Sequence, residues 1–370
     1  MSWQPVTDDI LVFRDSCNVY AVRGEGGCVV VDAGTGAWMD EVEALPARPA
    51  ALLLTHYFRD HAAGAAAAAR AGIPVYAPQY ERDLLVDPVQ HFRERETYII
   101  YDNLWDLFAP IEPIGIAGAI EDYATATIAG LEIEAVPLPG ATISQTGYGM
   151  TICGRRHVFC GEAIHSPGRL PRAAPLQYNY NDMPGATNAY LSAQFLRDGG
   201  VDVLLPSLGE PILDRTDAAL AALQSNLKAT AARREENLAG MEAVHDEALV
   251  RVSDHVWRSP NAIAQTYFVI SDSGRAMSID YGYLLGPLQW QAYSRPARRR
   301  ALLHGLADLK RRFGIERLDT VLVSRADGGR PPVRPGGRGA AHGGRTVLIA
   351  CRAGSGRRAS LSFASEARRC

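Results

Sequence analysis

Three side chains that commonly bind metal ions follow an apolar segment early in the chain. Residues 51–54 are apolar, and Thr55 is followed by His56, Asp60 and His61. A strand fixes the backbone, and the loop after it can direct ring nitrogens and carboxylate oxygens to one side, which is a common way to build a metal centre. The spacing therefore predicts a metal site at the end of a buried strand.

The segment from Thr55 to His61 resembles the signature Thr-His-x-His-x-Asp-His of the metallo-β-lactamase superfamily. The resemblance covers about residues 6–245 and implies an α/β fold, the metallo-β-lactamase-like αββα sandwich, for a domain spanning residues 1–245. Four further motifs match the family in type and in order along the chain, namely Asp32-Ala33-Gly34, Pro139-Gly140-Ala141-Thr142, Gly161-Glu162-Ala163 and Pro206-Ser207-Leu208-Gly209-Glu210-Pro211.

The resemblance also implies which residues would hold a metal. The second of the family's two metal positions keeps Asp60, His61 and Glu162, whereas the first keeps only His56 and Glu162. Three protein ligands and one open position suffice for a catalytic metal, so this position keeps the minimum set for one divalent ion. Two oxygens and one nitrogen suit iron or manganese as well as zinc. Apolar residues replace histidine ligands of the family at Phe58, Ala141 and Leu208.

These replacements leave three interpretations open. The site is a remnant that binds no metal, it holds one ion, or it recruits another ligand such as His165 or Tyr57. Without a cation, buried carboxylates at the site need another positive partner. The sequence offers Arg59 or Arg155 for that role.

If the site binds metal, the resemblance implies a metal-dependent hydrolase. A metal-activated water would attack the carbonyl of an ester, thioester, lactone or amide in a small-molecule substrate. Asp60 would orient that water, and His56 would act as a partial ligand. The alternative is a catalytically inactive scaffold or binding module that has lost its metal ligands.

Alternating strand and helix patterns surround the motifs and favour an α/β layered domain. Residues 10–14 and 17–23 predict a β-hairpin. Further strands are predicted at 28–32, 51–55, 73–77, 131–138, 149–153 and 157–161, and helices at 61–72, 185–199 and 215–240.

Residues 246–324 predict the start of a second repeat of the same fold. The segment 250–257 parallels the chain around residues 6–13, and 276–282 parallels 28–34. The apolar segment 319–324 parallels 51–55, so an internal duplication is expected. The His-rich motif that should follow Ser324 is absent.

Residues 325–370 instead contain ten Arg, no Lys and only two acidic residues, with abundant Gly and Ala. One interpretation is a natural basic, disordered tail. The other is a slip of the reading frame near codon 325, because the composition changes abruptly where the metal motif of the repeat is due.

Composition excludes several other classes of protein. The chain is 47% hydrophobic and 21% charged, with a net charge of −3. Outside the Arg-rich tail the chain is acidic, so no nucleic-acid partner is expected. No signal peptide, long apolar segment or CxxC pair is present, and we expect a cytoplasmic protein with reduced thiols and no membrane partner. The sequence does not indicate an oligomeric state.

Overall fold

A computed structural model describes residues 2–89, 109–142, 144–172, 185–233, 249–259, 265–280, 305–306, 308–323 and 347–349. The chain divides into two compact units, Met1–Leu238 and Ala239–Cys370. Each unit is described by itself below.

The first unit contains two β-sheets. The seven-stranded sheet has the order β1-β2-β3-β4-β5-β6-β7, with strands Gln4–Pro5, Ile10–Arg14, Asn18–Gly24, Gly27–Val31, Pro49–Leu53, Val75–Pro78 and Ile116–Ile120. The five-stranded sheet has the order β12-β11-β10-β9-β8, and β8 to β12 are Thr125–Ile128, Leu131–Pro137, Thr146–Ile152, Arg155–Gly161 and Val203–Pro206. The predicted hairpin is confirmed, because β2 and β3 pair antiparallel from Ile10 opposite Val22 to Arg14 opposite Asn18.

An apolar layer joins the two sheets face to face. It contains Tyr20 and Val29 from the first sheet and Tyr148 and Phe159 from the second, all of them buried. Alternate residues along each strand point to this layer, because successive side chains of a strand face opposite sides. The remaining apolar residues of the strands face the helices.

Helices cover the outer face of each sheet, which confirms the αββα order. The outer face of the first sheet packs against four helical segments and forms an apolar cluster with them, the outer core of the first sheet. These segments are a 3₁₀ helix, Ala37–Ala44, and the helices α1 (Arg59–Ala62), α2 (Ala65–Arg70) and α3 (Arg82–Val86). Two longer helices, α4 (Gly185–Asp198) and α5 (Thr216–Arg233), pack on the second sheet.

The helix predicted over residues 61–72 is two short helices instead. They meet at Gly64, where a Cβ atom would lie 2.4 Å from Gly36 Cα. The Gly64 amide donates to the Gly34 carbonyl at 2.9 Å. This close backbone approach holds α1 against the loop after β4, and only glycine permits it.

The second unit contains a six-stranded sheet, β13 to β18 in order along the chain. Its strands are Val250–Arg251, Val256–Ser259, Thr266–Ile270, Ala276–Ile279, Thr320–Val323 and Val347–Ile349. Residues 305–306 and 308–313 are helical, and Leu309 packs with Phe268 and Ala276 in a small core. Of the predicted tail, 325–370, only β18 lies within the described residues.

The pairing in the second unit follows that of the first. Tyr20 lies opposite Val31 and Val22 opposite Val29, and the equivalent pairs are Tyr267 with Ile279 and Val269 with Met277. In both units the next strand pairs parallel. Each unit also has an aspartate with positive φ directly after the second strand of the antiparallel pair. Asp32 follows β4 with a φ of 60°, and Asp280 follows β16 with a φ of 56°. These parallels support the predicted duplication, which stays a prediction.

Among the helices of the described residues, none is long and apolar enough to span a membrane.

Candidate metal centre

Strand ends in the two sheets bring the predicted site residues together. Thr55 and His56 follow β5, and α1 carries Asp60 and His61. Glu162 follows β11 in the other sheet. The His61 carbonyl accepts hydrogen bonds from the amides of Ala33 (2.7 Å) and Gly34 (3.1 Å), which fix α1 against the loop after β4.

Asp32 connects three strand ends beneath the site. Its carboxylate accepts a hydrogen bond from the Thr55 amide at 2.9 Å and another from the Ser207 hydroxyl at 2.6 Å. The Asp32 amide donates to the Leu53 carbonyl at 2.8 Å. Its φ of 60° lies in the left-handed region, which aspartate tolerates better than most residues. The Asp-x-Gly motif therefore supports the site rather than forming it.

A hydroxyl relay fixes the ring of His56. Thr55 Oγ1 lies 2.9 Å from an Asp32 carboxylate oxygen and 2.9 Å from His56 Nδ1. A carboxylate only accepts, so the hydroxyl donates to Asp32 and accepts from His56 Nδ1–H. His56 Nε2 is then left with a lone pair.

Asp60 orients His61 in the same way. Asp60 Oδ1 lies 3.0 Å from His61 Nδ1 and accepts the proton of that nitrogen. His61 Nε2 is left with a lone pair, which is the orientation that a carboxylate gives to a metal-ligating histidine.

Both free nitrogens point to one carboxylate oxygen. His56 Nε2 lies 3.6 Å and His61 Nε2 3.7 Å from Glu162 Oε1. The three atoms lie within 4.8 Å of one another and all three residues are buried. None of the three atoms makes a hydrogen bond to the described residues. Two imidazole nitrogens and a carboxylate oxygen that face one another form a donor set that fits one divalent metal ion.

The pKa values follow from this arrangement. Burial and the charge of His61 lower the pKa of His56. Burial would also lower the pKa of His61, but its hydrogen bond to Asp60 and the nearby charges of Asp32 and Glu162 outweigh burial and raise it. Burial alone would raise the pKa values of Asp60 and Glu162. Contacts with the histidines and with a nearby guanidinium outweigh burial and lower both pKa values.

That guanidinium belongs to Arg172, which the sequence did not single out. Arg172 Nη2 lies 2.5 Å from Asp60 Oδ2 and 2.5 Å from Glu162 Oε1. The first contact is a hydrogen bond, whereas the second is an ion pair without hydrogen-bond alignment. The nearby carboxylates raise the pKa of Arg172 against the opposing effect of burial.

The predicted partners Arg59 and Arg155 are therefore wrong. Arg59 Nε donates to the Ala109 carbonyl, and Arg155 donates to the carbonyls of Asp202 and Leu213. The chain after Glu162 returns to the site at Arg172. The spacing of residues in the sequence does not indicate this return.

Apolar packing replaces the histidines that the family has at three positions. Phe58 and Ala141 are buried in the outer core of the first sheet, and Leu208 packs against that core. The ring of Phe58 lies 4.9 Å from that of His56. Its face lies 5.7 Å from Arg172 Cζ, within cation–π distance.

Two predicted alternatives for extra ligands fall outside the cluster. His165 Nδ1 lies 3.2 Å from Ser166 Oγ, and Tyr57 is a buried core residue. A second group of potential ligands, Cys17 with Asp32 and His61, shares His61 with the first. Burial, followed by the charges of Asp32 and Asp60, raises the pKa of the Cys17 thiol. Since the thiolate is the ligand form, that group is the weaker candidate.

A small pocket adjoins the cluster and opens to solvent. Its cavity volume is about 10 Å³, which is room for about one water molecule. Glu162 and Arg172 are its charged residues, and the other lining residues are Pro139, Gly140, Ala141, Ala163, Leu170 and Ala189. A ligand in this pocket would have an apolar part beside a polar end at the cluster.

Comparison with known proteins agrees with this fold. The family model described as the metallo-beta-lactamase superfamily matches residues 12–208. The chain therefore belongs to the metallo-β-lactamase superfamily. A curated relative, hydroxyacylglutathione hydrolase of Serratia proteamaculans (strain 568), is 26% identical over 162 residues, which are 43% of this chain and 51% of the relative. The chain thus spans about half the length of the curated relative it matches.

Solved structures of metallo-β-lactamases are similar in fold. The enzyme SMB-1 bound to 2-mercaptoethanesulfonate is 17% identical with a TM-score of 0.50, covering 63% of this chain and 97% of that one. The enzyme MIM-1 of Novosphingobium pentaromativorans is 15% identical with a TM-score of 0.50, covering 65% of this chain and 91% of that one. At these identities the similarity concerns the fold alone.

Proposed function

We propose that the first unit is a mononuclear metal-dependent hydrolase that cleaves an ester, thioester, lactone or amide bond. The proposal rests on the convergence of His56 Nε2, His61 Nε2 and Glu162 Oε1, which are buried and make no hydrogen bond to the described residues. Superfamily membership supports hydrolysis as the reaction class. Zinc, iron and manganese all remain candidates for the ion.

A bound divalent ion would polarise the substrate carbonyl and lower the pKa of a water molecule. The chain's own residues prepare the site for this chemistry. Thr55 and Asp60 set the tautomers of the two histidines, and Glu162 is ionised at neutral pH because its pKa is lowered. We propose that Asp60, also ionised, orients the attacking water.

The residues that line the pocket, rather than its volume, support an acyl group as the part of the substrate next to the cluster. Ala163, Leu170 and Ala189 present apolar surface there, and Glu162 and Arg172 form the polar end. The name of the curated relative describes hydrolysis of a hydroxyacylglutathione. An acyl compound with a small substituent is therefore our first substrate class.

Metal content of the purified full-length chain tests the proposal. We expect about one equivalent of zinc, iron or manganese by elemental analysis, together with slow hydrolysis of small acyl esters or thioesters. His61→Ala should lose the ion and the hydrolysis. The control His165→Ala should keep both, because His165 lies outside the cluster.

A second candidate function, a metal-free binding module, is favoured by Arg172. Its guanidinium already places one positive charge against Asp60 and Glu162. A folded wild-type chain without any bound metal, even after incubation with zinc, would overturn the hydrolase and leave this alternative.

A further inference from the structure

We propose that Arg172 occupies the position of a second cation, so that the centre holds one divalent ion and excludes another. This inference rests on the proposed function. It goes beyond that function, because it assigns to an arginine of this chain the charge and position that would otherwise belong to a metal ion.

One nitrogen of Arg172 lies between two carboxylates. Its Nη2 atom is 2.5 Å from Asp60 Oδ2 and 2.5 Å from Glu162 Oε1. The side chain of Glu162 is only 1% exposed. A buried carboxylate needs a positive partner, and a guanidinium keeps its charge at any ordinary pH. Arg172 therefore takes the space and the charge of a cation that would bridge these oxygens.

Arg172 leaves one cation position open. A guanidinium only donates hydrogen bonds, and neither His56 Nε2 nor His61 Nε2 has a hydrogen-bond partner among the described residues. Both nitrogens face Glu162 Oε1 from the side of the histidines. Glu162 Oε1 is thus shared, because it pairs with the guanidinium and also faces the two imidazole nitrogens.

Charge counting favours the same arrangement. Asp60, Glu162 and the nearby Asp32 carry three negative charges, and Arg172 neutralises one of them. One divalent ion balances the other two, whereas two ions beside Arg172 would place five positive charges against three negative ones. Repulsion at such distances costs several kcal/mol even at moderate dielectric, so a second ion is excluded.

Phe58 fits a guanidinium better than it fits a metal ion. Its ring cannot ligate a metal, but its face lies 5.7 Å from Arg172 Cζ. Aromatic faces attract guanidinium groups at this distance. Phe58 is therefore suited to a site that holds Arg172.

Metal stoichiometry of the full-length chain tests the inference without reference to activity. Wild type, Arg172→Ala, Arg172→Lys and the control Arg169→Ala are stripped of metal, dialysed against Zn²⁺ and assayed by elemental analysis. Arg169 is exposed on the same segment. A chelator competition gives the affinity of each bound ion.

We expect one Zn²⁺ in wild type, Arg169→Ala and Arg172→Lys, because lysine keeps the positive charge. Arg172→Ala should bind a second Zn²⁺, and its first ion should bind about tenfold more tightly or better once the nearby charge is gone. Thermal unfolding checks that each variant is folded. If Arg172→Ala does not fold, Arg172→Gln replaces it, since it keeps donor groups but no charge.

The possible failures are distinguishable. One Zn²⁺ in both wild type and Arg172→Ala, with unchanged affinity, overturns the role of Arg172 but leaves the proposed function. Two Zn²⁺ in wild type would likewise overturn the role of Arg172 and leave the proposed function. No Zn²⁺ in wild type overturns the proposed function and with it the one-ion centre.

Discussion

Asp60 Oδ1 lies 3.0 Å from Nδ1 of its chain neighbour His61, and this contact directs His61 Nε2 to Glu162. Asp60 Oδ2 is hydrogen-bonded to Arg172 at the same time. One carboxylate thus positions a metal-ligating nitrogen and a guanidinium. Asp60 lies beside the three-ligand group that the structure brings together rather than within it.

Asp60→Ala is expected to weaken metal binding without abolishing it. Loss of a carboxylate behind a metal-ligating histidine typically costs roughly 10- to 100-fold in affinity, because the ring and its tautomer are no longer fixed. Chelator competition on the full-length chain measures the change. Asp83→Ala serves as a control, since Asp83 is exposed on α3, and complete loss of the ion in Asp60→Ala would make Asp60 a direct ligand.

Thr55→Val is expected to destabilise the first unit and to weaken metal binding. Valine has nearly the same shape but breaks the relay from Asp32 to His56. Leaving two buried polar groups without this partner costs about 1–3 kcal/mol in the free energy of unfolding. Urea unfolding measures the loss, and Thr55→Ser should restore most of it because serine keeps the hydroxyl. A Thr55→Val protein as stable as wild type would mean that the relay does not contribute.

The fold was largely predictable from the sequence, because hydrophobic periodicity reports on neighbours that are close along the chain. The hairpin of β2 and β3 and the helix α4 lie close to their predicted bounds, and α5 begins close to its predicted start. The predicted end of α5, residues 234–240, lies outside the described residues. The helix predicted at 61–72 was wrong at Gly64, since the break depends on Gly36 from a distant part of the chain.

The site was only partly predictable. His56, His61 and Glu162 could be identified because motif order specifies their place in the fold. Arg172 could not, because its position depends on how the chain after β11 returns to the site. Of the segments that sequence patterns cover, 281–304 and most of 325–370 lie outside the described residues.

Acidification is expected to destabilise the metal-free protein. Despite burial, contacts with the histidines and Arg172 lower the pKa of Asp60 and Glu162. Carboxylates with a lowered pKa contribute stability above their unfolded pKa of about 4, and this contribution is lost as the pH falls through the folded values. Urea unfolding in the presence of a chelator, repeated between pH 7 and pH 3, measures the slope.

Glu162→Gln should flatten this acid dependence, whereas Glu132→Gln, on an exposed position of β9, should leave it unchanged. An identical slope in all three proteins would show that the pKa of Glu162 is the same in the folded and the unfolded state.

Raising the pH is also expected to destabilise the metal-free protein, because His61 loses its proton. Its pKa is raised by Asp60 and by nearby carboxylates in spite of burial. Such a group contributes stability below its unfolded pKa of about 6.5, and the contribution is lost as the pH rises through the higher folded value. A zinc-loaded sample should show no such loss, because the ion replaces the proton. Loss of equal size with and without zinc would contradict the role of His61.

Replacing Phe58 by histidine is expected to strengthen the binding of a second zinc ion only when Arg172 is also removed. Phe58→His alone places a neutral ring beside a guanidinium and removes a buried aromatic side chain, so it should destabilise the unit by about 3 kcal/mol or less without adding an ion. Combined with Arg172→Ala, the new ring completes a second set of ligands with Asp60 and Glu162. The double variant should bind two Zn²⁺, as Arg172→Ala does, and should bind the second ion more tightly than Arg172→Ala alone. A second ion in Phe58→His with Arg172 intact would mean that the two positions are independent, contrary to a centre in which the guanidinium stands for a metal.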